Sequence, residues 1–173
     1  MPRSARIVIP DIPHHITQRG NYQQEVFDNN DNYKQYCEWI NEYAQKNSVD
    51  ILAYCLMGNH VHFIVIPKKE NSLAKLFNTT HMRYSQYLNK ERGLKGHLWQ
   101  GRFYSCLLDD AHLYRAIRYV ENNPVRAKMV KNAWDYEYSS AKDHTDMRNK
   151  PLIRIIAYKG MKDQKQGEFG VSP

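Results

Sequence analysis

His60 and His62 flank a single valine inside the apolar run 51–66, which reads as β-structure. Successive strand side chains point to opposite faces, so the two imidazoles share one face while Val61, Phe63 and Val65 take the other. Imidazoles side by side on a rigid strand can offer two ring nitrogens to one divalent ion. The plainer alternative is a pair of partly buried, hydrogen-bonded strand histidines. Downstream, Tyr119 and Asn123 are four residues apart in a helical pattern and hence neighbours on its surface. A helix tyrosine ordinarily packs, and Asn123 before Pro124 suits the cap of a new helix as well as it suits a ligand.

The elements that must position these groups follow from periodicity. Residues 6–19 predict a strand with an irregular start, because Pro10 and Pro13 cannot donate to a ladder. Gly20-Asn21 marks a turn. Asp31 is placed to cap a helix whose stripe is Tyr33, Tyr36, Cys37, Ile40, Tyr43 and Ala44, ending at Asn47-Ser48. Strands over 50–57 and 60–67 with Gly58-Asn59 between them predict a hairpin. Asn71 or Ser72 caps a second helix through Leu73, Leu76, Phe77, Met82, Tyr84 and Leu88, and Gly93 and Gly96 break it. Residues 98–108 read as a loop entering a fourth strand. Asp109 or Asp110 caps a third helix with Leu113, Ile117 and Val120 on its apolar face and His112, Tyr119 and Asn123 on the flank. The order β-α-β-β-α-β followed by a helix is the ferredoxin-like split βαβ pattern, an α+β fold with an antiparallel sheet, two helices on one face and the third helix near the other. The folded domain is expected over 1–144 and a polar tail over 145–173, with the apolar run 152–156 docking as a last strand or helical turn.

A chain of 173 residues is long enough to bury a core as one domain. The formal charge of +7 points to an anionic partner, nucleic acid being the commonest. Three widely spaced cysteines exclude a disulfide framework or a structural zinc spacing and fit reduced thiols, with Cys55 in the core. No apolar run approaches the roughly 18–20 residues of a membrane span, and the basic start leads into no signal-peptide region. A cytoplasmic protein without membrane association is the expectation.

Three segments together resemble the single-tyrosine HUH transposases, in particular their REP-associated branch: Pro13-His14-His15-Ile16-Thr17-Gln18-Arg19-Gly20-Asn21, Ala53 to His62, and Leu98-Trp99-Gln100-Gly101-Arg102-Phe103 onward to Tyr119-Val120-Glu121-Asn122-Asn123-Pro124. They run in the family's order across most of the chain. One departure is Gly58, where the family usually has proline before Asn59; it alters a turn residue and no ligand. The resemblance implies that His60 and His62 are metal ligands, that Tyr119 is the nucleophile, and that Asn123 stands where the family places its helix-borne third ligand. Glu121 and His112 are the alternative ligands and Tyr104 the alternative nucleophile. It implies Mg²⁺ or Mn²⁺, single-stranded DNA bearing a hairpin as partner, and cleavage and rejoining through a 5′-phosphotyrosine intermediate at REP-like sites. A monomer is the implied state, a homodimer the alternative. The contrasting reading is a ferredoxin-like module that binds nucleic-acid hairpins without catalysis.

Phosphate contacts are expected from Arg3, Arg6, Gln18, Arg19, Arg102, Arg115 and Arg126, with Arg83 and Lys95 as further candidates. Trp99, Phe103 and Tyr104 are candidates for stacking on unpaired bases, and Trp99 and Phe103 equally for the core. His14 and His15 are expected to face substrate or solvent.

Overall fold

A computed structural model describes residues 7–145 and 150–158. Four strands, β1 (His14–Arg19), β2 (Val49–Met57), β3 (His60–Pro67) and β4 (Tyr104–Leu107), form one antiparallel sheet in the order β2-β3-β1-β4. Helices α1 (Asn30–Lys46) and α2 (Ser72–Arg92) join them, and α3 (Asp110–Glu121) follows β4. This is the ferredoxin-like arrangement that the pattern predicts. The short helices α4 (Asn123–Arg126) and α5 (Ala141–His144) come after it.

Alternation along β3 divides the molecule into two cores. Val61, Phe63 and Val65 point to the side covered by α1 and α2, where they meet Ile16, Tyr36, Ile40, Leu73, Leu76 and Phe77. Ile64 and Ile66 point the other way, with Leu52, Ala53, Cys55 and Met57, against Leu113, Ile117 and Val120 of α3. The extra residue Leu52, between the pairs Ile51–Val65 and Ala53–Ile64, is a β-bulge. Cys55 is buried and all three cysteines are free thiols.

The caps differ in detail from the sequence expectation. Asn29, two residues before Asp31, caps α1 by accepting from the Asn32 amide. Asp109 caps α3 by accepting from the His112 amide, as one of the two candidates would. The hairpin turn at Gly58 is held from outside: its carbonyl accepts from the Val26 and Phe27 amides at 2.7 and 3.2 Å. A Cβ at Gly58 would stand 2.1 Å from a Glu25 carboxylate oxygen, a flexible group that would have to move. Gly20 is more constrained, since its Cβ would lie 2.3 Å from the Gln24 carbonyl oxygen.

The outer edge of β2 is closed by the chain's later residues. Leu56 donates to the Tyr138 carbonyl, Ser140 to the Tyr54 carbonyl, and Ile156 to the Ile51 carbonyl. Residues 150–158 dock without regular secondary structure: Ile153 is fully buried, and the Asn41 amide side chain bonds Leu152 and Arg154. This part of the expected polar tail is therefore integral to the packing, and the strand or helical turn expected at 152–156 is irregular chain. Residues 146–149 and 159–173 lie outside the described residues. Among the described residues no helix is long and apolar enough to cross a membrane.

One buried titratable group makes the fold acid-sensitive. His81 sits between Tyr36, whose hydroxyl is 2.9 Å from Nε2, and the Trp99 ring at 4.6 Å. Burial lowers its pKa from 6.5 to about 3. The native state then binds fewer protons than the unfolded chain, so stability falls as pH drops from about 6.5 toward 3. The melting temperature followed by circular dichroism is expected to decline over that range. His81→Gln is expected to melt lower at pH 7 and to decline less steeply toward pH 4.

Candidate active site

The register of β1 on β3 assembles the site. Thr17 pairs with His62 and Arg19 with His60, so these side chains share the α3-facing side of the sheet, with His15 two residues back. The His60 and His62 rings are 4.9 Å apart and nearly perpendicular. Each engages its Nδ1: His60 with the Asn59 side-chain oxygen at 2.5 Å, and His62 with His15 Nε2 at 3.1 Å, the latter two rings being stacked. The Nε2 atoms of both carry no hydrogen bond among the described residues. Burial pulls the His60 pKa to about 4, helped by Arg19. Burial pulls His62 to about 3, reinforced by His60, His15, Arg19 and Arg126. Burial also lowers His15. All three imidazoles are thus neutral near pH 7, the state that has a lone pair to give.

Tyr119 reaches the same place from α3. Its ring meets the edges of His15 and His62 at 6.2 and 6.1 Å, and the Arg126 guanidinium carbon lies 4.8 Å from its centroid. It remains 44% exposed, open to a large substrate. Asn123 opens α4 rather than capping it; Asn122 takes the cap position. The Asn123 Nδ2 donates back to the Tyr119 and Val120 carbonyls at 3.1 and 3.2 Å. That closes the end of α3 and leaves Oδ1 as the side chain's free acceptor. Arg19, His60, His62, Tyr119, Asn123 and Arg126 line one cavity of about 450 Å³. Among the described residues no group of three His, Cys, Asp or Glu side chains is arranged to hold a metal ion. The Asn123 amide and the Thr17 hydroxyl line the cavity together with the two imidazoles.

Several sequence candidates lie elsewhere. Glu121 faces away, accepting from Ser140 Oγ at 2.6 Å and pairing with His144 Nδ1 at 2.5 Å. His112 is held by Asp109 at 2.6 Å, seven residues or roughly 10 Å along α3 from Tyr119. Tyr104 pairs with Thr17 and shares the site's sheet face, but does not line the cavity. His14 is fully buried, with Nδ1 on the Ile12 carbonyl, and does not face substrate or solvent.

Among the DNA candidates, Trp99 is only 8% exposed: it donates to the His81 carbonyl and packs beside Tyr84, which makes it core. Phe103 is likewise buried, on Phe77. Gln18 is buried and donates to the Gly101 carbonyl at 2.8 Å, so it holds the 98–103 loop and is not a surface phosphate contact. Arg83 stacks on Trp39 and Tyr43 in the α1–α2 seam. Arg19, Arg102, Arg115 and Lys95 are exposed, and Arg115 sits one helical turn before Tyr119. Arg3 and Arg6 lie outside the described residues. His15, expected with His14 to face substrate or solvent, does face the site; which member of the pair does so depended on register.

The Glu121 pair ties the end of α3 to α5 and so sets where Tyr119 stands. Burial lowers the His144 pKa, but the hydrogen bond and charge of Glu121 more than offset it, leaving a net raise. A raised folded-state pKa contributes stability that is present below the unfolded value of about 6.5 and lost as pH rises through the folded one. Glu121→Gln is expected to cost roughly 1–3 kcal/mol at pH 6 in urea unfolding, with a smaller deficit at pH 9.

The family model described as "Transposase IS200 like" matches residues 9–123. A solved structure of a REP-associated tyrosine transposase bound to a REP hairpin superposes with a TM-score of 0.65 at 20% identity, covering 99% of this chain and 100% of that one. That likeness is one of fold. A second structure, from Deinococcus radiodurans R1 and described as a transposase candidate, reaches a TM-score of 0.47 at 16% identity, covering 70% of this chain and 97% of that one. No curated protein matches. On the family match, which spans the sheet, the histidine pair and Tyr119, the chain belongs to the IS200-like transposase family.

Proposed function

We propose that this chain cleaves and rejoins single-stranded DNA at hairpin-associated, REP-like sites through a 5′-phosphotyrosine link to Tyr119, acting in the cytoplasm as a monomer. The observation that carries the proposal is the single cavity shared by a tyrosine, two neutral imidazoles, an amide oxygen and two arginines. The family is one of DNA transposases, and the solved relative of like fold is bound to a REP hairpin.

In this reading Arg19 and Arg126 attract the scissile phosphate into the cavity. Tyr119 gives up its phenolic proton and its Oη forms a bond to phosphorus. The bond to the 3′ oxygen breaks, and that oxygen takes a proton to become a 3′ hydroxyl. The phosphotyrosine keeps a bond of similar energy, so a second 3′ hydroxyl can reverse the step and join strands without ATP. Two neutral imidazoles and one amide oxygen would hold one divalent ion, Mg²⁺ or Mn²⁺ as the family resemblance implies, through His60 Nε2, His62 Nε2 and Asn123 Oδ1. Such an ion supplies Lewis-acid polarisation of the phosphate. His15 acts through His62: with His15 Nε2 accepting a hydrogen bond from His62 Nδ1–H, the tautomer that leaves His62 Nε2 free is held in place.

The test is covalent trapping with labelled hairpin-bearing single-stranded DNA and Mn²⁺ on a denaturing gel. A protein-linked band absent from Tyr119→Phe and from chelated samples is expected. DNA binding without any adduct across a pool of hairpins would favour the non-catalytic hairpin-binding reading instead. For His15→Ala, Mn²⁺ affinity by calorimetry is expected to fall about 10- to 100-fold with the fold intact; unchanged affinity would remove His15 from the site.

A further inference from the structure

The connection from β1 to α1 carries two neighbouring residues in left-handed backbone, Tyr22 (φ 51°) and Gln23 (φ 60°). Neither is a glycine. Their side chains do not account for the conformation, since both are exposed, Tyr22 by 93%. Non-glycine backbone in that region persists only where its surroundings over-determine it, and such strain gathers at functional sites. Here the surroundings are hydrogen bonds. Gln23 donates to the Gly20 carbonyl at 3.1 Å and Gln24 to the Asn21 carbonyl at 3.0 Å. The conformation aims one further group: the Gln23 carbonyl accepts from Asn59 Nδ2 at 3.2 Å.

Asn59 stands in the β2–β3 turn, immediately before His60, and is held through both backbone and side chain. Its carbonyl accepts from the Gly20 amide at 2.8 Å, and the preceding Gly58 carbonyl is strapped to Val26 and Phe27. Its Oδ1 lies 2.5 Å from His60 Nδ1. These partners decide where the His60 proton sits. A backbone carbonyl can only accept, so the Asn59 atom facing Gln23 is the amide nitrogen. The atom facing His60 is then the oxygen, which also can only accept, and Nδ1 must carry the hydrogen. In a neutral imidazole that leaves the lone pair on Nε2.

We propose that Asn59 is a positioning residue for His60: anchored by the left-handed 22–23 backbone, it holds the Nδ1–H tautomer, so that Nε2 offers its lone pair before any ligand enters the cavity. The inference rests on the metal-assisted reading above and adds to it the device that prepares one ligand in advance. The β1–α1 connection, which contributes no side chain to that ligand set, thereby acts on it through a single amide.

The test is nuclear magnetic resonance on the full chain, ¹⁵N-labelled and metal-free at pH 7. Two-bond ¹H–¹⁵N correlations report which ring nitrogen carries the proton, and the His60 signals are identified by their loss in His60→Gln. Wild-type His60 is expected as the Nδ1–H tautomer. In Asn59→Ala a large fraction of the proton is expected on Nε2, and Mn²⁺ affinity by calorimetry is expected to fall about ten-fold. Asn59→Asp, which keeps an acceptor beside Nδ1, is expected to restore the Nδ1–H form. Gln23→Pro cannot adopt the left-handed backbone, and is expected to shift the tautomer in the same direction as Asn59→Ala without altering any side chain of the site. A wild-type His60 protonated on Nε2 overturns the proposal, and that reading stands whether or not a variant folds. So does a tautomer unchanged in a natively folded Asn59→Ala. A tautomer that depends on Asn59 in a chain that binds no Mn²⁺ would keep the positioning role and remove the ion.

Discussion

The pairing of Thr17 with His62 and Arg19 with His60 is the constraint on which the rest depends. Side chains alternate with a period of two, so a slip of one residue along β3 would turn both imidazoles into the α1–α2 core and expose Val61 and Phe63. The apolar residues between the histidines prevent it: Val61, Phe63 and Val65 are all fully buried on that side. The cost of exposing them fixes the position of the histidines more firmly than any bond the histidines make. The functional face is a by-product of the packing of the other face.

The second requirement is that α3 hold its tyrosine over the histidines. Leu113, Ile117 and Val120 press the helix onto Cys55, Ile64 and Ile66. Beyond Glu121 the chain must turn, and three polar contacts set how: the Asn123 amide on the last helical carbonyls, Glu121 on Ser140, and His144 on Glu121. Residues 138–140 in turn pair with the free edge of β2. The later part of the chain thus braces the sheet that bears the histidines and the helix that bears the tyrosine.

Much of this was legible in the sequence because it is local. The histidine face follows from strand alternation, the hairpin from Gly58-Asn59, and the face of α3 from three- and four-residue spacing. What escaped depends on partners far along the chain. His15 meets His62 across 47 positions, and only the β1–β3 register decides that His15, not His14, faces the site. Trp99 and Gln18 have the residue types of nucleic-acid contacts, yet the loop crossing the end of β1 buries both. Glu121 sits beside the site in sequence, but a helix turns successive residues by about 100°, and its carboxylate is engaged by Ser140 and His144 instead. The docking of 150–158 gives no periodic signal, since single apolar residues fill separate gaps.

Two neutral imidazoles and a tyrosine converge on the α3-facing side of the sheet, where the proposed function places one cation. Anomalous diffraction from crystals soaked in Mn²⁺ tests that placement most directly. The account predicts one peak within bonding distance of His60 Nε2 and His62 Nε2, with Asn123 Oδ1 as its third protein ligand and Tyr119 alongside. A peak held by other side chains, or none at saturating Mn²⁺ with the site free of lattice contacts, would contradict it.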